Sequence, residues 1–182
     1  MRKWQPCFSM EITPVLADIT TIEVDAIVNA ANAALQGGGG VDGAIHRAAG
    51  PELARAGRAL APCPPGMART TPAFRLDPPV RFVIHTVGPV WARHAPDEAD
   101  RLLASCYRAS LAEADRVGAR RVAFPAISTG VYGFPPDRAA PLAVAALRAA
   151  TTEVEQSVLV AFDEATLRRY EVALADEPGG RR

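Results

Sequence analysis

Residues 29–50 read Asn-Ala-Ala-Asn-Ala-Ala-Leu-Gln-Gly-Gly-Gly-Gly-Val-Asp-Gly-Ala-Ile-His-Arg-Ala-Ala-Gly, and the order of chemical types in this stretch organises the whole chain. The apolar Ala26-Ile27-Val28 in front of it predicts a buried strand. The carboxamides Asn29 and Asn32 then make a polar turn, Gly37 to Gly40 a bare loop, and Asp42 introduces a helix-like segment. Glycine lets successive backbone N–H groups point into one concavity, so a glycine run feeding a helix N-terminus suits phosphate. Four glycines alone also describe a flexible linker, and Asp42 alone describes a helix N-cap. Their occurrence together with Asn29 and Asn32 favours a site for a phosphorylated ligand.

The 182 residues predict one domain over residues 1–175, because single cores commonly serve ~100–200 residues. A polar, glycine-containing tail at 176–182 is expected to be disordered. Acidic and basic side chains balance at 20 each, which argues against an extended nucleic-acid footprint. Lys3 is the only lysine, so neither a P-loop lysine nor an internal Schiff-base lysine is available. Cys7, Cys63 and Cys106 are odd in number and far apart, and read as reduced thiols. His46, His85 and His94 lack metal-ligand spacing, so no metal or cofactor is expected. No apolar leader or ~20-residue apolar run stands out. The expectation is a cytoplasmic monomer with no membrane partner.

Taken in order, Cys7 to Ile12 predicts a first strand, and Asp18-Ile19-Thr20 a polar turn capped by Asp18. A helix is expected over Pro51 to Leu60, and a strand over Met67 to Arg75 whose middle Pro72 confines to an edge or a bulge. Val80 to Val87 reads as a central strand in which His85 is a buried, hydrogen-bonded histidine. Pro96 to Val117 is the clearest helix, with Leu103, Tyr107, Ser110, Leu111 and Ala114 at three- and four-residue spacing. A strand over Arg121 to Ala126 feeds a second glycine-containing loop, Ser128-Thr129-Gly130-Val131-Tyr132-Gly133, and a helix over Pro136 to Ala150. That loop alone is an ordinary strand-to-helix connection; paired with Gly37–Gly40 it can hold the second phosphate of a pyrophosphate from the opposite side. Val158 to Phe162 and Ala165 to Leu174 supply the last strand and helix. The alternation predicts an α/β fold, a three-layer α/β/α sandwich with a mixed central sheet, and ligands of such folds sit outside the carboxyl ends of the strands.

Val24 to Asn32 with Gly37 to His46, Asp18-Ile19-Thr20, Val83 to Pro89, and Phe124 to Gly133 occur in the order found in the macrodomain family, and closely resemble its MacroD-type branch from roughly Met10 to Leu174. Ala17 and Pro72-Ala73-Phe74 depart from the usual pattern, where glycine and Gly-Tyr are commoner. The resemblance implies ADP-ribose as ligand, with O-acetyl-ADP-ribose and mono-ADP-ribosylated proteins as partners. It implies adenine near Asp18, Ile19 and Phe162, with Asp18 accepting from the adenine amine; the sequence alone equally allows Phe162 in the core. Gly38, Gly39, Gly40, Val41, Ser128, Thr129, Gly130, Val131 and Tyr132 would hold the pyrophosphate, and Asn29, Asn32 and Asp42 would face or flank the distal ribose.

MacroD-type members hydrolyse ester links at that ribose. The resemblance therefore implies removal of mono-ADP-ribose from acidic side chains and deacetylation of O-acetyl-ADP-ribose, with Asn32 and Asp42 as the catalytic pair. The water is activated by Asp42 or by a substrate phosphate, and the residues do not choose between them. If Asp42 caps its helix, its carboxyl should lie low and favour an orienting role. His46, one turn on, is expected to brace the loop. A non-catalytic ADP-ribose reader, or a hydrolase acting on ADP-ribosylated nucleic acid, are the alternative functions.

Overall fold

The computed structural model describes residues 9–176. Among them, six strands form one sheet in the order β1-β6-β5-β2-β4-β3. They are β1 (Glu11–Leu16), β2 (Ala26–Ala30), β3 (Ala68–Pro72), β4 (Phe82–Thr86), β5 (Arg121–Phe124) and β6 (Gln156–Ala161). The four central strands and β1 are parallel, and only β3 runs antiparallel, against β4. Five helices complete the order: α1 (Gly40–Ala49), α2 (Glu52–Leu60), α3 (Pro96–Val117), α4 (Pro136–Arg148) and α5 (Glu164–Ala175).

Strand side chains alternate between faces, and the two faces of this sheet feed two separate cores. Ile27, Val83, Ala123, Val158 and Val160 pack with Ile45, Ala49 and Leu53 of α1 and α2. Their neighbours Val28, Ile84, Val122, Phe124 and Leu159 pack with Leu103, Tyr107, Leu111, Val144, Leu147 and Tyr170 of α3, α4 and α5. Strands buried on both faces must be apolar at consecutive positions, as Ala26-Ile27-Val28 is, and the result is the mixed three-layer sandwich.

Both sheet edges carry proline, Pro14 in β1 and Pro72 in β3, where a missing N–H costs no ladder bond. The first of these moves the strand expected over Cys7 to Ile12: β1 runs through Pro14 to Leu16, pairing in register with Gln156 to Ala161. Cys7 lies outside the described residues, as do 177–182 of the expected tail; Asp176 is the C-cap of α5. The strand expected to reach Arg75 ends at Pro72, since Phe74–Leu76 winds into a 3-10 turn with Phe74 at φ +51°. Helix α3 matches its expected limits and stops at Gly118 in the left-handed conformation, φ +71°.

Among the described residues no helix is long and apolar enough to cross a membrane. Nor do three or more His, Cys, Asp or Glu side chains gather in a way that could hold a metal ion.

Candidate active site at the carboxyl edge of the sheet

Parallel strands end on the same side, so the chain leaves β1 at Asp18, β6 at Phe162, β5 at the 125–134 loop and β2 at the 31–39 loop, all along one sheet edge. Three strand spacings of ~4.8 Å separate β1 from β2, so the edge offers an extended ligand about 14 Å of frame.

The first loop is folded by close approaches that only glycine permits. Gly37, φ +96°, lies against the His46 imidazole, whose Cγ would be 3.3 Å from a Cβ there. A Cβ on Gly43 would sit 2.6 Å from the Gly38 carbonyl oxygen, so the loop rests directly on α1. Around Gly39 and Gly40 there is open space. The N–H groups of Gly38, Gly39, Gly40, Val41 and Asp42 donate no backbone hydrogen bond among the described residues. The first turn of a helix leaves such donors free, and they form an anion-binding concavity.

The second loop is closed by Phe134 N–H to Ser128 O, 2.9 Å, and Gly133 N–H to Gly130 O, 3.0 Å. Ser128 adopts φ +64°, and its side chain lies on Gly88, where any Cβ would collide with the Ser128 Oγ. Ser128, Gly130, Val131 and Tyr132 donate no backbone hydrogen bond among the described residues. The loops leave neighbouring strands, so two sets of unpaired N–H donors lie along one stretch of the edge, with the Arg47 guanidinium beside Gly43 at the first of them.

Asp42 lies against the first loop, and its geometry differs from the expectation. The N-cap of α1 is Gly39, not Asp42; Asp42 is the third helical residue and turns inward, 5% exposed. Its Oδ1 accepts from Asn29 Nδ2 at 2.7 Å, and His46 Nε2 is 3.2 Å from the same oxygen without hydrogen-bond alignment. Oδ2 faces the loop: a Cβ on Gly38 would be 3.1 Å from it and 3.4 Å from Asn32 Nδ2. Burial pushes the Asp42 carboxyl above the usual carboxylate range, outweighing the Asn29 hydrogen bond and the His46 charge that pull it down. The low value expected of a capping aspartate is therefore reversed.

The remaining residues divide by what they can present. Asn32 Nδ2 donates to Gly37 O at 3.1 Å, and its Oδ1 accepts from Ala34 N at 3.1 Å, which fixes the amide beside Gly38. Asn29 is fully buried and its Nδ2 faces Asp42 and His85. Ile19 is also buried, in the core beneath α1, and Ser128 nearly so, so backbone is what these two offer a ligand. Phe162, 88% exposed, is not a core residue, and Val131 is fully exposed on the second loop. Asp18 uses Oδ1 on Thr20 N and Oγ1, at 2.9 and 2.7 Å, which is the turn-capping role.

His85 is buried and hydrogen bonded, as the strand pattern indicates, and burial lowers its pKa to about 3. What the sequence reading lacked is its partner set. Nδ1 lies 3.1 Å from Asn29 Nδ2, and Nε2 lies 3.0 Å from Thr71 Oγ1. The signal was the polar Asn29 in the apolar strand β2 and the polar His85 in β4, which the β2–β4 register places opposite each other.

A parallel-sheet edge that carries two loops with unpaired backbone N–H groups, the first of them against a buried, upward-shifted carboxylate, defines an α/β domain suited to a phosphorylated ligand. The chain belongs to the macrodomain family, in its MacroD-type branch: the model of the Macro domain matches residues 28–143. A Macro domain-containing protein of Ralstonia nicotianae is 56% identical over 169 residues, covering 93% of this chain and 97% of the relative. A Klebsiella pneumoniae protein named O-acetyl-ADP-ribose deacetylase is 51% identical over 172 residues, covering 90% of this chain and 96% of its own. Among solved structures, an Oceanobacillus iheyensis macrodomain mutant with ADPR superposes with a TM-score of 0.82 at 41% identity, covering 89% of this chain and 90% of that one. The Trypanosoma brucei macrodomain in complex with ADP-ribose gives 0.81 at 37% identity, covering 93% and 72%.

Proposed function

We propose that this macrodomain binds ADP-ribose along the sheet edge and hydrolyses esters at its distal ribose, deacetylating O-acetyl-ADP-ribose and removing mono-ADP-ribose from acidic side chains of proteins. In this reading the adenine lies by Asp18, Ile19 and Phe162, with the second Asp18 oxygen accepting from the amine. The pyrophosphate lies between the N–H groups of Gly38 to Val41 and those of Ser128 to Tyr132. The distal ribose faces Asn32 and Asp42, and His46 braces the loop through Gly37. Relatives named for the deacetylase and a family member bound to ADP-ribose support the assignment.

The observation that carries the catalytic half is Asp42 Oδ2, held beside Gly38, which Asn32 also flanks, while Oδ1 is occupied by Asn29. A carboxylate raised by burial is a better base than an ordinary one. Asp42 takes a proton from a water whose oxygen bonds to the acyl carbon. The bond from that carbon to the ribose oxygen breaks, and the oxygen recovers a proton as the ribose hydroxyl. The acyl group leaves as acetate or as the protein carboxylate.

The test is release of ADP-ribose from a glutamate-modified protein, and of acetate from O-acetyl-ADP-ribose, by the wild type and Asp42→Ala, with ADP-ribose affinity measured on both. Loss of a general base costs roughly 10²–10⁴-fold in turnover. A slowing of that order with affinity retained is the expected result. Tight ADP-ribose binding by a wild type that releases neither product would make the chain a reader.

A further inference from the structure

We propose that Thr71 and His85 are positioning residues, which fix the Asn29 amide so that Asp42 is held with one oxygen tethered and the other free. The proposal rests on the hydrolase reading for its kinetic consequence, and on geometry for the rest. A buried row of polar side chains crosses three strands and reaches α1: Thr71 in β3, His85 in β4, Asn29 in β2 and Asp42. Their exposures are 2%, 0%, 0% and 5%, so solvent does not replace a lost partner. Successive links measure 3.0 Å from Thr71 Oγ1 to His85 Nε2, 3.1 Å from His85 Nδ1 to Asn29 Nδ2, and 2.7 Å from Asn29 Nδ2 to Asp42 Oδ1.

The direction of each link follows from donor and acceptor inventory. The Asn29 NH2 donates one hydrogen to the carboxylate. Its second hydrogen points at His85 Nδ1, which accepts only if the ring is neutral and its proton is on Nε2. That proton needs an acceptor, and Thr71 Oγ1 supplies it. With the opposite tautomer an N–H would face the NH2 of Asn29. The amide would then turn over and present oxygen to the ionised Asp42, repelling it. Thr71 thus acts on Asp42 through two intermediaries without approaching the ligand, and the chain of hydrogen bonds is a requirement for the orientation of Oδ2 toward Gly38.

Thr71→Val keeps the shape and removes the acceptor, whereas Thr71→Ser keeps the acceptor. The expected result is a kcat about tenfold or more lower in Thr71→Val, the scale of a misplaced catalytic group, with ADP-ribose affinity unchanged and kcat recovered in Thr71→Ser. Nitrogen-15 NMR of the His85 ring, with ADP-ribose bound, should show a bare Nδ1 and a protonated Nε2 in the wild type and loss of that state in Thr71→Val. A wild-type ring protonated on Nδ1 overturns the proposal, as does a Thr71→Val protein with wild-type kcat. So does a Thr71→Ser protein as impaired as Thr71→Val, which would mean a packing role. A wild type with no turnover refutes the hydrolase reading alone, and the ring state in wild type and Thr71→Val still decides the network.

Discussion

His85 makes the stability of this protein depend on pH in a calculable way. A free histidine titrates near 6.5, and burial, with a smaller contribution from the charge of His46, lowers His85 to about 3 in the fold. Between those values the unfolded chain binds a proton that the folded chain refuses, so stability rises with pH and is lost as pH falls below 6.5. Each full unit well below 6.5 corresponds to about 1.4 kcal/mol, so moving from well above pH 7, where both states are neutral, to about pH 5 costs about 2 kcal/mol, roughly a thirtyfold change in the folding equilibrium. Urea unfolding of the wild type and His85→Gln over a pH series from above 7 to about 5 isolates the effect, because shared titrations cancel. The gap between the two proteins should close by about 2 kcal/mol as pH falls.

Asp42 contributes with the opposite sign. Its carboxyl is raised by burial, so the folded chain is the one that holds the proton above the ordinary carboxylate range, and that contribution is lost as pH rises through its folded pKa. Asp42→Asn, carried through the same series, subtracts it. A gap between wild type and His85→Gln that stays constant with pH, after that subtraction, would refute the claim that His85 is held neutral by burial.

Two other substitutions test the frame around the site. Gly43→Ala places a Cβ 2.6 Å from the Gly38 carbonyl oxygen, so the first loop must lift from α1; ADP-ribose affinity by calorimetry should fall about tenfold or more, and unchanged affinity would mean that the loop does not hold the pyrophosphate. Asp163→Ala removes the N-cap of α5, whose Oδ1 accepts from Thr166 N at 2.7 Å, and should lower stability by about 1 kcal/mol in a urea titration, with Asp163→Asn close to wild type.

Local grammar made much of this fold readable. Ala26-Ile27-Val28 declares a strand covered on both faces, and the three- and four-residue spacing from Leu103 to Ala114 with Gly118 behind it bounds α3 to the residue. The first strand was harder because Pro14 looks like a breaker until the sheet order shows that it sits at an edge. Loop positions were legible as glycine runs, but the reason each glycine is there was not. Gly43 and Gly88 are small because another loop's backbone or side chain lies on them, and those contacts join residues that no local pattern relates.

Asp42 shows most clearly where reading along the chain stops. An acidic residue after glycines at the start of a helix fits the capping pattern, and capping predicts a low pKa. The fold places it three positions beyond the N-cap, turns it toward the sheet and supplies a partner from 13 residues upstream. The choice of partner matters for the chemistry. An arginine or lysine against Oδ1 would hold the carboxylate below the ordinary range and leave a weak base. The Asn29 amide tethers the same oxygen with a neutral dipole, whose lowering effect is smaller than the raising effect of burial. Asp42 can then be both fixed and basic, provided the amide cannot turn over, and a neutral His85 that can only accept at Nδ1 is what keeps it from doing so.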